Sequence, residues 1–346
     1  MTRRTLFALG NCLLFVWAGP GARADSDKRV VKVMTRNMDA GTDLGWFFVV
    51  PDVMTATSLT FSEVLASNIP GRAELLADEI GSEQPDLIAL EEVTLWESGP
   101  PGGSPTIVLD QLQLLLTALA ERGLNYAPVV VQGLTTTAAP ASPASVVHFT
   151  DRNAILARTD LKQSGMDLSN VQQTIYQAKF GFPIGGTTVP VLAGWTSVDV
   201  KVRGKVFRFV DTHLQSTISG VPAATAVQVA QAGELIATMN STNLPVVLAG
   251  DFNSNAEIGP DDTATTTGIL AAGYTDAWRV FNPAGTGFTW PLFLEDFLSG
   301  TSVVPFERID LIFARDLKVT SVQQSGLLAP WPSDHVGVVA MLQLEP

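Results

Sequence analysis

The chain has 346 residues, 46% of them hydrophobic and 16% charged, with a formal net charge of −13. That composition supports a large core and excludes a disordered polyelectrolyte. The acid excess, with no cluster of lysines and arginines, excludes a broad electrostatic platform for nucleic acid, although a metal site can recruit phosphate in acidic surroundings.

Arg3 and Arg4 precede an apolar run from Thr5 to Gly19, and Ala22-Arg23-Ala24 places small residues where a signal peptidase reads. Residues 1–24 therefore read as a cleaved secretory signal, which would send the mature chain to a periplasm or the exterior. The run is short for a membrane span, and no later stretch approaches the length of one. Asn11 stands where a lipoprotein signal needs a small residue, which argues against lipidation. Cys12, the only cysteine, leaves with the signal. Residues 25–346 are then expected to form a single domain that folds on its core without disulfides.

In chain order, Val30 to Met34 reads as a strand that ends in Thr35-Arg36-Asn37-Met38. The apolar run from Gly45 to Pro51 is expected in the core, with a cleft lining as the alternative. Gly71 to Glu83 has helical periodicity, and Asp86 to Leu90 is a buried strand ending in Glu91-Glu92. A second helix is predicted over Thr106 to Arg122, closed by Gly123. The Thr, Ala, Pro and Ser content between Leu134 and Ser145 predicts a mobile surface loop, with His148 on the surface beside it. Arg152 to Arg158 returns to strand. Trp195 to Leu214 alternates as a hairpin around Gly204 and ends in Asp211-Thr212-His213. A helix over Ala223 to Met239 then leads to the most apolar strand, Pro245 to Ala249, which runs into Gly250-Asp251-Phe252-Asn253. The last strands are Arg308 to Ala314 and His335 to Leu342. Strand pairs interrupted by single helices imply mixed or antiparallel sheets packed face to face, rather than a doubly wound parallel sheet.

Polar residues recur where these strands meet loops: Asn37, Glu92, His213, Asp251 with Asn253, Asp310, and Asp334 with His335. Taken alone, Asp251 and Asn253 could simply close a strand as an Asx-turn. Together the set offers hard oxygen ligands for a magnesium-type ion, amides for a phosphoryl oxygen and two imidazoles for proton handling. No Cys or His cluster suggests zinc, and there is no Gly-x-Gly-x-x-Gly, Walker or Gly-x-Ser-x-Gly motif.

Seven stretches, in this order, resemble the endonuclease/exonuclease/phosphatase superfamily. They are Thr35-Arg36-Asn37-Met38, Gln84-Pro85-Asp86 to Glu91-Glu92-Val93, Asn153 to Arg158, Thr212-His213-Leu214, Gly250-Asp251-Phe252-Asn253, Arg308 to Phe313, and Ser333-Asp334-His335. The resemblance implies a four-layered α/β sandwich: two mixed, mostly antiparallel sheets face to face, helices on the outer faces, and the site at one edge. It implies Glu92 as the main metal carboxylate, with Asn37 and Asp334 in the metal shell. Asp251 would orient or deprotonate the attacking water, and Asn253 would hold the phosphate. His335, oriented by Asp310, would sit against the phosphate, with His213 as the second imidazole; whether His335 or Asp251 is the base stays open.

The family pattern usually has glutamine where this chain has Glu91, so either carboxylate could be the ligand; alignment on Val93 selects Glu92. The implied cofactor is Mg²⁺, with Mn²⁺ or Ca²⁺ as substitutes. The implied activity is phosphate-ester hydrolysis by a monomer, as a phosphodiesterase acting on nucleic acid or a phospholipid headgroup. A phosphomonoesterase acting on phosphorylated inositols, or a non-catalytic surface binding protein, are the alternatives. Trp290, Phe293 and Phe297 become lipid-contact candidates if exposed.

Overall fold

A computed structural model describes residues 29–184, 186–218, 220–257, 264–292 and 304–344. The expected signal at 1–24, Phe293 and Phe297 lie outside these. The first half of the chain forms β1 (Val30–Asn37), α1 (Trp46–Val49), α2 (Val53–Ala66), α3 (Ile69–Glu83), β2 (Leu87–Glu91), β3 (Leu95–Gly99), β4 (Thr106–Asp110), α4 (Gln111–Glu121), β5 (Tyr126–Ser142) and β6 (Ser145–Arg158). After these come β7 (Met166–Ile175), β8 (Phe180–Ile184), β9 (Thr187–Val191), β10 (Gly194–Val202), β11 (Lys205–His213), α5 (Pro222–Met239) and β12 (Val246–Asp251). The chain ends with α6 (Ala264–Ala271), β13 (Thr275–Asp276), α7 (Ala277–Phe281), β14 (Asp310–Arg315), β15 (Lys318–Ser325) and β16 (Gly337–Gln343).

One sheet runs β15-β16-β1-β2-β6-β3-β4, with β5 also paired to β6; the other runs β13-β14-β12-β11-β10-β7. The pairs β1 with β2 and β11 with β12 are parallel, and the neighbouring pairs such as β1 with β16 and β12 with β14 are antiparallel. Strand alternation divides the side chains into three apolar layers. Val31, Val33, Leu87 and Ala89 of the first sheet meet Phe207, Phe209, Val247 and Ile312 of the second. On the far side of the first sheet, Met34, Ile88 and Leu90 pack on Leu76 and Ile80 of α3 and Leu115 and Leu119 of α4. Beyond the second sheet, Val210, Leu248 and Phe313 pack on Leu235 and Met239 of α5 and Ile269 of α6. This is the expected four-layered sandwich.

Three local expectations are corrected. Leu134 to Ser145 is not a loop but the end of a long hairpin, in which Thr136 pairs with Thr150 and Ala139 with Val147. Composition misleads there because the ladder tolerates Pro140 at a register break, between Pro140 and Ser142. Thr106 to Asp110 is strand β4, bonded to β3, and the α4 helix begins after it with Asp110 as N-cap. The apolar run at 45–51 is not core: Phe48 is 58% exposed and Val49 70%.

Candidate active site

At one edge of the sandwich, the positions that face between the sheets change from apolar to polar. Val31 and Val33 give way to Thr35 and Asn37 on β1, and Leu87 and Ala89 to Glu91 on β2. In the second sheet, Phe207 and Phe209 lead to Asp211 and His213, and Val247 and Ala249 to Asp251. β14 begins with Asp310 before Ile312 and Ala314. Because side chains alternate with a period of two, the apolar register that builds the core also aims these groups at a common edge. His213 and Asp251 are ladder partners, as are Asp251 and Asp310. Gly250 permits this: a Cβ there would lie 1.9 Å from the Thr212 carbonyl oxygen, and its φ is 151°.

The first sheet contributes differently. Glu91 keeps strand geometry and points inward, where it accepts from Thr35 Oγ1 at 2.9 Å and where burial, and after it the Asp211 charge, raise its pKa. Glu92 adopts φ 53°, a left-handed conformation that turns its carboxylate out of the strand plane. There Glu92 Oε1 accepts from Asn37 Nδ2 at 3.0 Å, and Oε2 accepts from the Ala40 N–H at 2.8 Å. Asn37 Nδ2 also donates to Asp251 Oδ2 at 3.1 Å, joining the two sheets' contributions. The loop that carries Ala40 is held by the Arg72–Asp39 ion pair and by Gln111 Nε2, which donates to the Asp39 carbonyl at 2.6 Å.

His335 Nδ1 lies 2.9 Å from Asp310 Oδ2, which leaves Nε2 facing the site, 3.9 Å from both Asp251 Oδ2 and Asp334 Oδ1. On the other side of Asp251, His213 Nε2 is 3.7 Å from the same Oδ2. Asp334 accepts from Trp290 Nε1 at 2.9 Å. Asn253, at φ 49°, donates its N–H to Asp251 Oδ1 at 2.8 Å and its Nδ2 to the Leu214 carbonyl at 2.9 Å. The structure thus brings all eight predicted residues to one edge.

Electrostatics follow from the crowding. Burial raises the Asp251 pKa, and Asp310 raises it further; burial raises Asp334, with Asp39 and Glu92 adding to it. For His335, burial favours the neutral ring, but Asp310, Asp334 and Asp251 outweigh it and hold the pKa well above the ordinary value. His213 is raised too: burial opposes, while Asp251, Glu92 and Asp151 prevail. One ligand atom from each of Glu92, Asp251 and His335 lies within 4.8 Å of the others. Crowded, partly desolvated carboxylates with oxygen donors fit a hard divalent cation, whose charge would relieve their mutual repulsion.

Sequence reasoning missed several residues that support these groups. Trp290 fixes Asp334, Thr289 Oγ1 accepts from the Asp310 N–H at 3.1 Å, and buried Arg36 donates to the His335 carbonyl. Arg36 lies inside a matched motif, which was a usable signal; Trp290 and Thr289 stand in no motif, and only the fold brings them in.

The comparisons agree with this geometry. No curated protein matches the sequence. Among solved structures, an endonuclease/exonuclease/phosphatase protein from Beutenbergia cavernae is similar at 23% identity and TM-score 0.56, over 92% of this chain and 72% of that one. One from Bacteroides vulgatus has 18% identity and TM-score 0.57, over 91% and 99%. TDP2 from D. rerio, complexed with single strand DNA product, has 15% identity and TM-score 0.54, over 90% and 98%. These likenesses establish the fold. The model of the Endonuclease/Exonuclease/phosphatase family matches residues 65–335, most of the chain, so the chain belongs to that family of divalent-metal-dependent phosphoester hydrolases.

Proposed function

We propose that this chain is an exported, magnesium-dependent phosphodiesterase. The observation that carries the reading is the convergence of Glu92, Asp251 and His335 from both sheets on one small volume. Glu92 would anchor the ion, with Asn37 and Asp334 completing its shell. When bound, the cation polarises the phosphoryl oxygen and neutralises charge that develops on it. Asp251, held by the Asn253 N–H, orients the attacking water and takes its proton. The water oxygen bonds to phosphorus in line as the bond to the leaving alkoxide breaks, and a proton from His213 or solvent neutralises that alkoxide. His335, fixed through Nδ1 by Asp310, donates from Nε2 to a non-bridging oxygen, with Asn253 beside it. That pairing favours Asp251 over His335 as the base.

The test is hydrolysis of bis-(4-nitrophenyl) phosphate with Mg²⁺ and with chelator. Activity is expected only with the metal, and equal rates in both would sink the reading. Glu92→Gln should weaken Mg²⁺ activation far more than Glu91→Gln; the reverse order would transfer the ligand role. Export is supported by the basic, apolar and small-residue pattern of 1–24. A mature amino terminus at Asp25 in secreted or periplasmic material is the expected result, and retention of residues 1–24 would refute it.

A further inference from the structure

Beside the polar edge lies a cavity of about 650 Å³. Its walls include Phe47, Phe48, Trp96, Phe149, Phe182 and Ile218, and among the described residues that line it only Asp43 is charged. One residue links the cavity to the Glu92 carboxylate: the Ala40 N–H donates to Glu92 Oε2 at 2.8 Å, and the Ala40 carbonyl accepts from Trp96 Nε1 at 3.3 Å. A second link runs through Gln228, whose Nε2 donates both to the carbonyl of Gln215, another lining residue, and to that of Asn253. Ala40 and Gln228 thus each bridge a lining residue of the cavity to a residue of the polar edge. A void of roughly 150 Å³ accommodates benzene, so this one is far larger than a single aromatic leaving group needs. At the rim, Phe48 is 58% exposed and packs edge-on against Phe182 of β8, with ring centroids 4.8 Å apart. An apolar cavity without lysine or arginine suits a hydrocarbon chain and offers a polynucleotide nothing for its next phosphate.

We infer that this cavity binds the long alkyl or acyl chain of an amphiphilic phosphodiester, so that the substrate is of lipid type. The inference rests on the phosphodiesterase reading for the position of the scissile bond, and on the cavity alone for the chain. Its test is a series of 4-nitrophenyl alkyl phosphodiesters, from methyl to dodecyl, assayed with Mg²⁺ below their micelle concentrations. The expected result is a rise in kcat/KM of about fourfold per added methylene until the cavity fills. Ala139→Trp on the β5 wall should flatten that slope while methyl-ester turnover stays within about twofold. Val189→Trp on β9 should do the same and serves if the first variant does not fold. A flat slope in the wild type, with the methyl ester turned over, would overturn the chain site and leave the phosphodiesterase standing.

Loss of turnover on every member would defeat the phosphodiesterase reading instead. Calorimetric titration with monomeric dodecylphosphocholine then decides the cavity by itself. Binding with a negative heat-capacity change, abolished by Ala139→Trp, is expected, and no binding would overturn the inference. Phosphatidylcholine vesicles run in parallel identify the source: their hydrolysis assigns the chain to a membrane lipid, and hydrolysis of monomers alone assigns it to soluble amphiphiles, either of which supports the site.

Discussion

The two sheets hold their halves of the polar edge by different means. His213, Asp251 and Asp310 are neighbours across the ladder of β11, β12 and β14, so backbone hydrogen bonds set their spacing. Glu92 and the Ala40 N–H sit on loops beyond β2 and β1, where Glu92 and Asp39 have φ of 53° and 59° and are held by side chains. A ladder-held half keeps its geometry when one side chain is lost, but fails if the register slips. The loop-held half can be dismantled one hydrogen bond at a time.

The largest expected effect comes from attacking the ladder. Gly250→Ala would press a methyl group on the Thr212 carbonyl, and it should destabilise the fold by at least about 3 kcal/mol. Denaturant melts measure this, and an unchanged midpoint would show that β11 and β12 do not anchor the site. Asp251→Ala and His335→Ala remove side chains without touching the register. Each should lower kcat at least about a hundredfold while the melting midpoint changes little.

In the loop-supported half, Trp290→Phe removes the hydrogen bond to Asp334 and keeps an aromatic ring in place. A loss of roughly tenfold in apparent Mg²⁺ affinity is expected, and full affinity would show that Asp334 is placed by something else. The smallest effect is on stability. Burial raises the pKa values of both Glu91 and Asp211, and the Asp211 charge raises that of Glu91 further. Carboxyls raised in the folded state contribute stability that is complete below their unfolded pKa of about 4 and lost as pH rises through the folded values. Asp211→Asn cannot ionise, so its melting temperature should gain on the wild type by about 2 °C or more between pH 5 and pH 8. A constant difference across that range would mean that Asp211 is as fully ionised in the native protein as in the unfolded chain.

Much of this was legible in the chain because alternation is a local property. The run from Val246 to Asp251 reads as a buried strand ending in a carboxylate, and the fold places it in the centre of the second sheet. Local chemistry failed where long-range pairing overrode it. Leu134 to Ser145 looks like a loop until β6 is laid beside it, and Phe48 looks like core until α1 is found at the rim of a cavity. Trp290 could not have been assigned, because its partner Asp334 is distant in sequence and no motif joins them.

The sequence by itself determined the strands that lead into the site and the inventory of acids, amides and imidazoles at their ends, since each depends on a few consecutive residues. Only the tertiary structure showed that Glu92 and not Glu91 leaves the strand, since that turns on a left-handed backbone held by Asn37 at the end of β1 and Ala40 in the loop after it. It also decided that an apolar cavity lies next to the polar edge, because a cavity is the space left among elements far apart in the chain, and no stretch of residues encodes it alone.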